Sequence, residues 1–556
     1  MDKIKEFLRR GYFPVQLPPG FTTNTFASSY KLLKGKWLTG DVPPSSSPER
    51  FSVARSSYNR RVTSIINPVP YYFLVKEIAN YWQKIQNHYN KSRISLSRPK
   101  LNSHSLRAIE ISKFSDLYEA KVVRSAGYKY ALLTDISRFF PTIYTHTIPW
   151  ALHGKDVAKR NHSKTAVFFG NILDDKSMGV QDRQTMGLPI GPDTSHVIAE
   201  IIAVAVDKAL KTKLQYMPEG FRYVDDYCLF FDNQEEARRV LSELTQILST
   251  YELQINPDKT KIIEVKDLVE DSWKYGIKHL DVSEQVHKQR DDLHKYFESL
   301  FTLEKRYKDE SLVKYGLKKI SNIIIKKQNW QIYEAYLLKC GYSFPNTLQV
   351  ITTILSTYNY YKYPINKPAV ERFCNTSIKS NSLSDGHSEI AWALWLAKEL
   401  EISISKESIR AIETTSSSVC MLIALDLFHA NLAKVSPRKE KLDIYATKDS
   451  LYSGKWLLAY EAGRRRWLHN KDDIYITDDD FFSELLKNNV VFYDSSRKCE
   501  KVFELKKNKE IGDDLSRIFE SDNDINDYFD FQSGDDEYFD SVNVTSEDEE
   551  ENYIEF

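Results

Sequence analysis

Asp225 and Asp226 stand side by side in "GFRYVDDYCLFFD" (220–232), between two runs rich in the aromatic and β-branched residues that suit a pleated surface. A strand that breaks at two acids and then resumes reads as a tight β-hairpin carrying carboxylates at its tip. Adjacent like charges repel, so a buried pair needs a cation or a proton, and oxygen donors suit a hard divalent ion such as Mg2+. Asp is also a common turn residue, so the pair alone is consistent with an ordinary exposed turn. A third acid bears on the choice. Asp135 closes the apolar run "YKYALLTDI" (128–136), 90 residues before Asp225. One strand end and one neighbouring hairpin tip can gather three carboxylates in a small sheet. Three acids around two Mg2+ ions are the core of two-metal phosphoryl and nucleotidyl transfer.

Elements able to position these acids surround them. The stretch 71–85, "YYFLVKEIANYWQKI", has helical apolar spacing, and 128–136 reads as a strand ending in an acid. Residues 194–210 form a long helix, apolar on most faces and therefore buried. Residues 233–253 form an amphipathic helix, with Asn233 as its cap and Val240, Leu241, Leu244, Ile247, Leu248 and Tyr251 on one side. Strands mixed with helices make 51–270 an α/β or α+β unit. From about 285 to 470 the pattern is almost entirely helical. Stacked helical hairpins would account for it, although no clean repeat period emerges. Residues 1–50 read as loop-rich, punctuated by "QLPPGF" and "VPPSSSPE".

The charge balance is misleading as a total. The chain has 556 residues with 77 basic and 77 acidic side chains, but 520–556 holds 15 Asp plus Glu and no Lys or Arg. The rest therefore carries an excess of 15 positive charges, which suits a polyanionic partner or simply a soluble body with a solvating acidic tail. That tail is expected to be disordered. No apolar run reaches a membrane span, and no secretory signal is visible at the N-terminus. The five cysteines are scattered without a CxxC, which suggests neither a zinc cluster nor a disulfide framework and leaves a reducing cytoplasm as the default.

Taken in order, the motifs resemble those of a reverse transcriptase. Asp135 with Phe140 five residues later is similar to the family's first palm motif, and "GLPIGPDTSHVIAE" (187–200) to the second. "YVDD" (223–226) is similar to the third, and "LQINPDKTKI" (253–262) to the fourth. Upstream, "NRRVTSIINPVPYYFLVKEIANYW" (59–82) resembles the fingers. Four such motifs in order are far more specific than any one. The resemblance implies an α+β right-hand polymerase core, fingers and a ferredoxin-like palm over 51–270, preceded by an N-terminal extension at 1–50. An all-α thumb or C-terminal domain would follow at 271–470, with a helical repeat as one architecture for it, then a C-terminal segment at 471–519 and the acidic tail.

The same resemblance assigns roles. Asp135 and Asp225 would bridge two Mg2+ (or Mn2+) ions, Asp226 would support them and Ile136 would lend a backbone carbonyl. Lys259 would act as general acid toward pyrophosphate. Arg55, Arg61 and Arg124 would grip the triphosphate, and Phe140 would exclude a 2′-hydroxyl. Gly187, Pro189 and Gly191 would let the backbone approach the nucleotide. Each has a plainer reading: core packing for Phe140, solvated charge for the arginines and for Lys259. The family usually has Gln where this chain has Ile190. The variant "GLPIG", with "TDISRFFPTIYTHTIPWALHGK" (134–155), "GKWLLAYE" (454–461) and the helical extension, resembles the bacterial abortive-infection and defence-associated reverse transcriptases. This implies anti-phage immunity in a bacterial cytoplasm, with dNTPs, a non-coding RNA template and a DNA product. A homo-oligomer or a companion defence protein is a further expectation, and no membrane is involved. Template-independent or protein-primed synthesis is the alternative chemistry, and a non-catalytic RNA-binding scaffold the alternative class. Two lesser features remain. "GRRRWLHN" (463–470) suits either a phosphate-and-stacking contact or a helix-end charge cluster. His146, His153 and His162 lack metal-ligand spacing and read as structural.

Overall fold

The computed structural model describes residues 1–38, 43–268, 273–468 and 473–504; the acidic tail at 520–556 lies outside the described residues. The N-terminal stretch is loop-rich as its sequence suggests, but it also holds two helices that this reading did not include. It forms helices α1 (Lys3–Arg9) and α2 (Asn24–Trp37). Asp2 caps α1, and Phe26, Ala27, Tyr30, Leu33 and Trp37 form the buried face of α2. Pro14, Pro18 and Pro19 lie in the single irregular connection between them, residues 10–23.

Strands β1 (Glu49–Ala54) and β2 (Arg60–Ile65) form an antiparallel hairpin with Val53 opposite Arg61. Helix α3 (Pro68–Asn80) follows, capped by the Asn67 side chain on the Val69 N–H, with Pro68 opening it where no amide is needed. The helix expected over 71–85 is interrupted at Tyr81.

The central unit is a four-stranded sheet. Strand β3 (Tyr130–Thr134) leads through a long excursion to helix α4 (Asp193–Leu214), then β4 (Glu219–Tyr223), β5 (Asp226–Phe231), helix α5 (Gln234–Thr250) and β6 (Lys261–Glu264). The sheet order is β4-β5-β3-β6, with every neighbour antiparallel. The sequence β-α-β-β-α-β with β3 and β5 adjacent in the middle is a split β-α-β arrangement. It places the C-terminal end of β3 beside the start of β5. Asn233 caps α5 as its sequence predicts, accepting from the Glu236 N–H.

The C-terminal half is helical. Helices α6 (Leu348–Tyr360), α7 (His387–Leu400), α8 (Ser418–His429) and α9 (Trp456–Arg464) include its most buried members. Helix α7 is covered on nearly every face, packing against α6, α8 and β1. The N-terminal helices and the segment around Phe492 share one aromatic core. Phe492 lies among Tyr12, Phe13, Phe26 and Trp456 with ring centroids 5.1–6.5 Å away. The indoles of Trp37 and Trp392 donate to Phe481 O and Gln16 O. Among the described residues, no helix is long and apolar enough to cross a membrane.

Candidate active site

The β4–β5 hairpin closes with Tyr223 opposite Asp226, so its loop is Val224 and Asp225. Val224 takes φ of 56°, a left-handed conformation that a β-branched residue adopts only at an energetic cost. The surroundings hold it there. Its N–H donates to Ser97 Oγ at 2.9 Å, and its carbonyl accepts from Arg222 Nη1 at 2.8 Å. Arg222 is wholly buried between Glu200 at 3.0 Å and Asp207 at 3.0 Å. Ser95 and Ser97 donate to the two oxygens of Glu200, and Tyr227 Oη donates to Asp207. Buried charges persist only when paired and hydrogen-bonded, and here every member of the network meets that condition. The cluster forms a rigid base under the hairpin tip.

Asp135 follows the last residue of β3. Its carbonyl accepts from the Asn256 N–H at 2.9 Å, and the next amide, Ile136 N–H, donates to Asp225 O at 3.3 Å. The first acid and the hairpin tip are thus joined through the backbone. Asn256 organises the loop after α5, its side chain accepting from the Asp258 N–H and its carbonyl from Thr260 Oγ1. That turn brings Lys259 Nζ to 2.8 Å from Asp135 Oδ2.

Asp135 and Asp225 are both about 5% exposed, whereas Asp226 is exposed. Burial, reinforced by the negative charges of Asp226 and Asp135, holds the Asp225 carboxyl well above the usual carboxylate range. Asp135 Oδ1 is buried and accepts no hydrogen bond. A divalent cation fits both observations, since it would supply a partner for that oxygen and displace the proton from Asp225. The donors are carboxylate and peptide oxygens, the set a hard ion prefers. Among the described residues, no three His, Cys, Asp or Glu side chains are gathered into a ready-made metal cluster.

The second motif forms the wall beside this cluster. Gly187 takes φ of 87°, and its amide and that of Leu188 donate to Ile143 O and Phe140 O, both at 2.8 Å. A Cβ on Gly187 would come 3.1 Å from Pro141 O, and one on Gly191 would come 2.9 Å from Pro14 Cγ. In this structure the close approaches at both glycines are to protein. Pro189 O accepts from Ser195 Oγ, and Ile190 O accepts from the Ser64 N–H of β2. Asp193 at the start of α4 is held by Arg107 and by the amides of Ala108 and Ile109.

Phe140 is buried with its ring edge-on to His196, centroids 5.2 Å apart. Burial, then the charges of Arg107 and Arg61, pushes the His196 imidazole down to about 3. Arg61 is itself buried, about 5% exposed, within electrostatic reach of His196. Arg55 is half-buried at the β1–β2 turn, its N–H donating to Asn59 O.

Arg124 differs from its expectation. Its Nη1 donates to Gly220 O at 2.6 Å, at the end of β4 remote from the tip, so it braces the strand away from the acids. Two of the three arginines of "GRRRWLHN" serve the fold, and its last two residues lie outside the described residues. Arg464 and Arg465 pair with the fully buried Glu461, and Arg465 also donates to Tyr493 O. His146 pairs with Asp174, and His153 Nε2 accepts the Gly170 N–H, consistent with structural roles. Arg107, His196, Glu200, Asp207, Arg222 and Ser97 escaped the sequence reading. The available signal was Glu200 and Asp207 inside a helix otherwise apolar on most faces, where any charge must have a buried partner.

Residues 73–287 match the family model described as reverse transcriptase (RNA-dependent DNA polymerase). The match identifies a reverse transcriptase domain and with it the enzyme class of the chain: an RNA-directed DNA polymerase, a nucleotidyltransferase. Among solved structures, apo telomerase from Candida tropicalis is similar at 12% identity with a TM-score of 0.30, covering 81% of this chain and 76% of that one. Telomerase from Candida albicans in complex with the TWJ fragment of telomeric RNA is similar at 13% identity with a TM-score of 0.27, covering 74% and 67%. No curated protein matches the chain.

Proposed function

We propose that the chain copies RNA into DNA by two-metal nucleotidyl transfer at Asp135, Asp225 and Asp226. The observation that carries this reading is the meeting of Asp135 and Asp225 across β3 and β5, with Lys259 on the first of them. Asp135 and Asp225 would hold the ions, with Asp226 and the Ile136 carbonyl in support. When bound, Mg2+ or Mn2+ lowers the pKa of an attacking 3′-hydroxyl and neutralises triphosphate charge.

The chain's own residues do the rest. Asp225 gives up its proton as the site is loaded. Lys259 leaves Asp135 and delivers a proton to the pyrophosphate oxygen. Arg61 grips the triphosphate, with Arg55 near it on the same hairpin. Phe140, backed by His196, sits beneath the sugar and leaves no room for a 2′-hydroxyl, which selects deoxynucleotides. Ile190 packs its half-buried side chain against the core and lends its carbonyl to Ser64, so template contact there is by shape. In this reading the β3–β6 sheet is the palm of a right-hand polymerase, β1–β2 its fingers, and the helical half its thumb and extension. A role in anti-phage defence with a non-coding RNA template rests on the resemblance of "GLPIG" and the flanking motifs to the defence-associated group.

Purified protein with Mg2+, dNTPs and its co-purifying RNA is expected to incorporate label. Asp225→Ala with Asp226→Ala should abolish incorporation, a loss on the order of 10³-fold or more. Incorporation at the wild-type rate in that variant would overturn the assignment.

A further inference from the structure

The β1–β2 hairpin is held from both sides. Residues 60, 62 and 64 of β2 stand opposite 54, 52 and 50 of β1, and the amides of these residues point away from the partner strand. On the inner rim, the Ser64 N–H donates to Ile190 O at 2.8 Å. On the outer rim, the Ser52 N–H donates to His387 Nδ1 at 3.2 Å and the Ala54 N–H to Ser388 Oγ at 3.1 Å. Both acceptors belong to the first turn of α7. The next residue of that turn, Glu389, is 1% exposed and receives Arg60 as a two-pronged pair, Nη1 to Oε1 at 2.6 Å and Nη2 to Oε2 at 2.8 Å. Arg60 Nε also donates to Ser52 Oγ at 2.6 Å, which ties the fork back to the facing strand.

The hairpin turn is gripped as well. Asn346 Nδ2 donates to Arg55 O at 2.8 Å, and the Ser57 N–H donates to both oxygens of Glu310 at 2.9 and 3.0 Å. At the other end, Glu49 Oε1 accepts the Ser418 N–H at the start of α8. Four separate parts of the helical half, around residues 310, 346, 387–389 and 418, therefore hold one 17-residue ribbon (49–65). Side chains alternate along β2, so anchoring Arg60 toward α7 commits Arg61 to the opposite face, where it is buried within electrostatic reach of His196.

We infer that Glu389 is a positioning residue for the incoming nucleotide: through Arg60 it fixes the tilt and register of β2 and so the placement of Arg61. The helical half is thereby part of the triphosphate-gripping apparatus rather than a separate module. A bidentate guanidinium–carboxylate pair is the device suited to this, because it fixes orientation as well as distance. The inference rests on the polymerase reading above.

The test compares full-length wild type with Glu389→Gln, Arg60→Met and the charge-swapped double variant Arg60→Glu with Glu389→Arg. Steady-state incorporation gives KM for dNTP and kcat, thermal unfolding checks the fold, and amide exchange reports on 49–65. Glu389→Gln and Arg60→Met are each expected to raise KM for dNTP about 10-fold or more. RNA affinity should stay unchanged, while exchange speeds up at Ser52 and Ala54. Partial recovery of KM in the swapped variant would support the pairing directly. A folded Glu389→Gln with wild-type KM and faster exchange, or with wild-type exchange, overturns the inference while leaving the polymerase reading intact. Absence of any incorporation by wild type overturns the polymerase reading instead, and the exchange data then decide only whether α7 holds the hairpin.

Discussion

Asp225 is a carboxyl kept from ionising by its surroundings. Burial and two neighbouring acids raise its pKa above that of an unfolded aspartate, so between those two values the folded protein binds a proton that the unfolded chain does not. Stability from this group is therefore fully present in acid and is lost as pH rises through the raised value. Asp225→Asn removes the ionisation while keeping the shape. In EDTA, its unfolding midpoint should exceed that of wild type by a margin that widens with pH. The gain is about 1.4 kcal/mol for each unit by which the folded carboxyl is displaced. Calorimetry from pH 5 to 8 measures it, and parallel curves for the two proteins would refute it. Mg2+ should narrow the gap by stabilising wild type alone, with a proton released on binding. The types and order of these acids were legible in the sequence, because each lies within a short motif. The unequal burial of Asp225 and Asp226 was not, since it follows from which of them occupies the loop and which begins β5.

At the scale of elements, the hairpin tip depends on groups far from it in sequence. Ser97 and Arg222 hold the strained Val224 peptide from both ends, and Glu200 and Asp207 on α4 hold Arg222. Arg222→Ala would leave two buried carboxylates without their cation and should cost about 3–5 kcal/mol in urea unfolding. Ser97→Ala removes the bond from the Val224 N–H and the bond to Glu200, each worth about 1 kcal/mol, and it frees the turn that carries Asp225. Its kcat should fall by more than its stability suggests, with KM for dNTP little changed; a proportional loss of both would count against a positioning role. The hairpin and its flanking helices announce themselves through local periodicity and turn residues. The network escapes because its members, at 95, 97, 200, 207, 222 and 227, share no window. Only the charges inside an apolar helix hinted that partners had to exist.

At the scale of the whole molecule, the last described segment packs on the first. Phe492 inserts its fully buried ring among Tyr12, Phe13, Phe26, Trp456 and Tyr460. Phe492→Ala should destabilise the protein by about 3–5 kcal/mol. Amide protection should fall in α1 and α2 together with residues 456–493, rather than at the C-terminus alone. Loss confined to 473–504 would mean that the N-terminal helices stand independently. The sequence divides this region into an extension and a distant terminal segment because nothing local pairs residue 26 with residue 492. Pro18 and Pro19 suggested loop and do lie in one, but it joins two helices whose apolar faces are spaced for burial.

The ribbon at 49–65 has one more consequence. Short paired strands standing clear of a larger sheet invite a third strand from another molecule, which is how many β-containing proteins begin to aggregate. Here the backbone donors at 52, 54 and 64 are already spent on α7 and on the loop at 190. The bonds proposed to aim Arg61 thus also occupy three edge amides, so a stray strand meeting 52, 54 or 64 finds its donor already engaged.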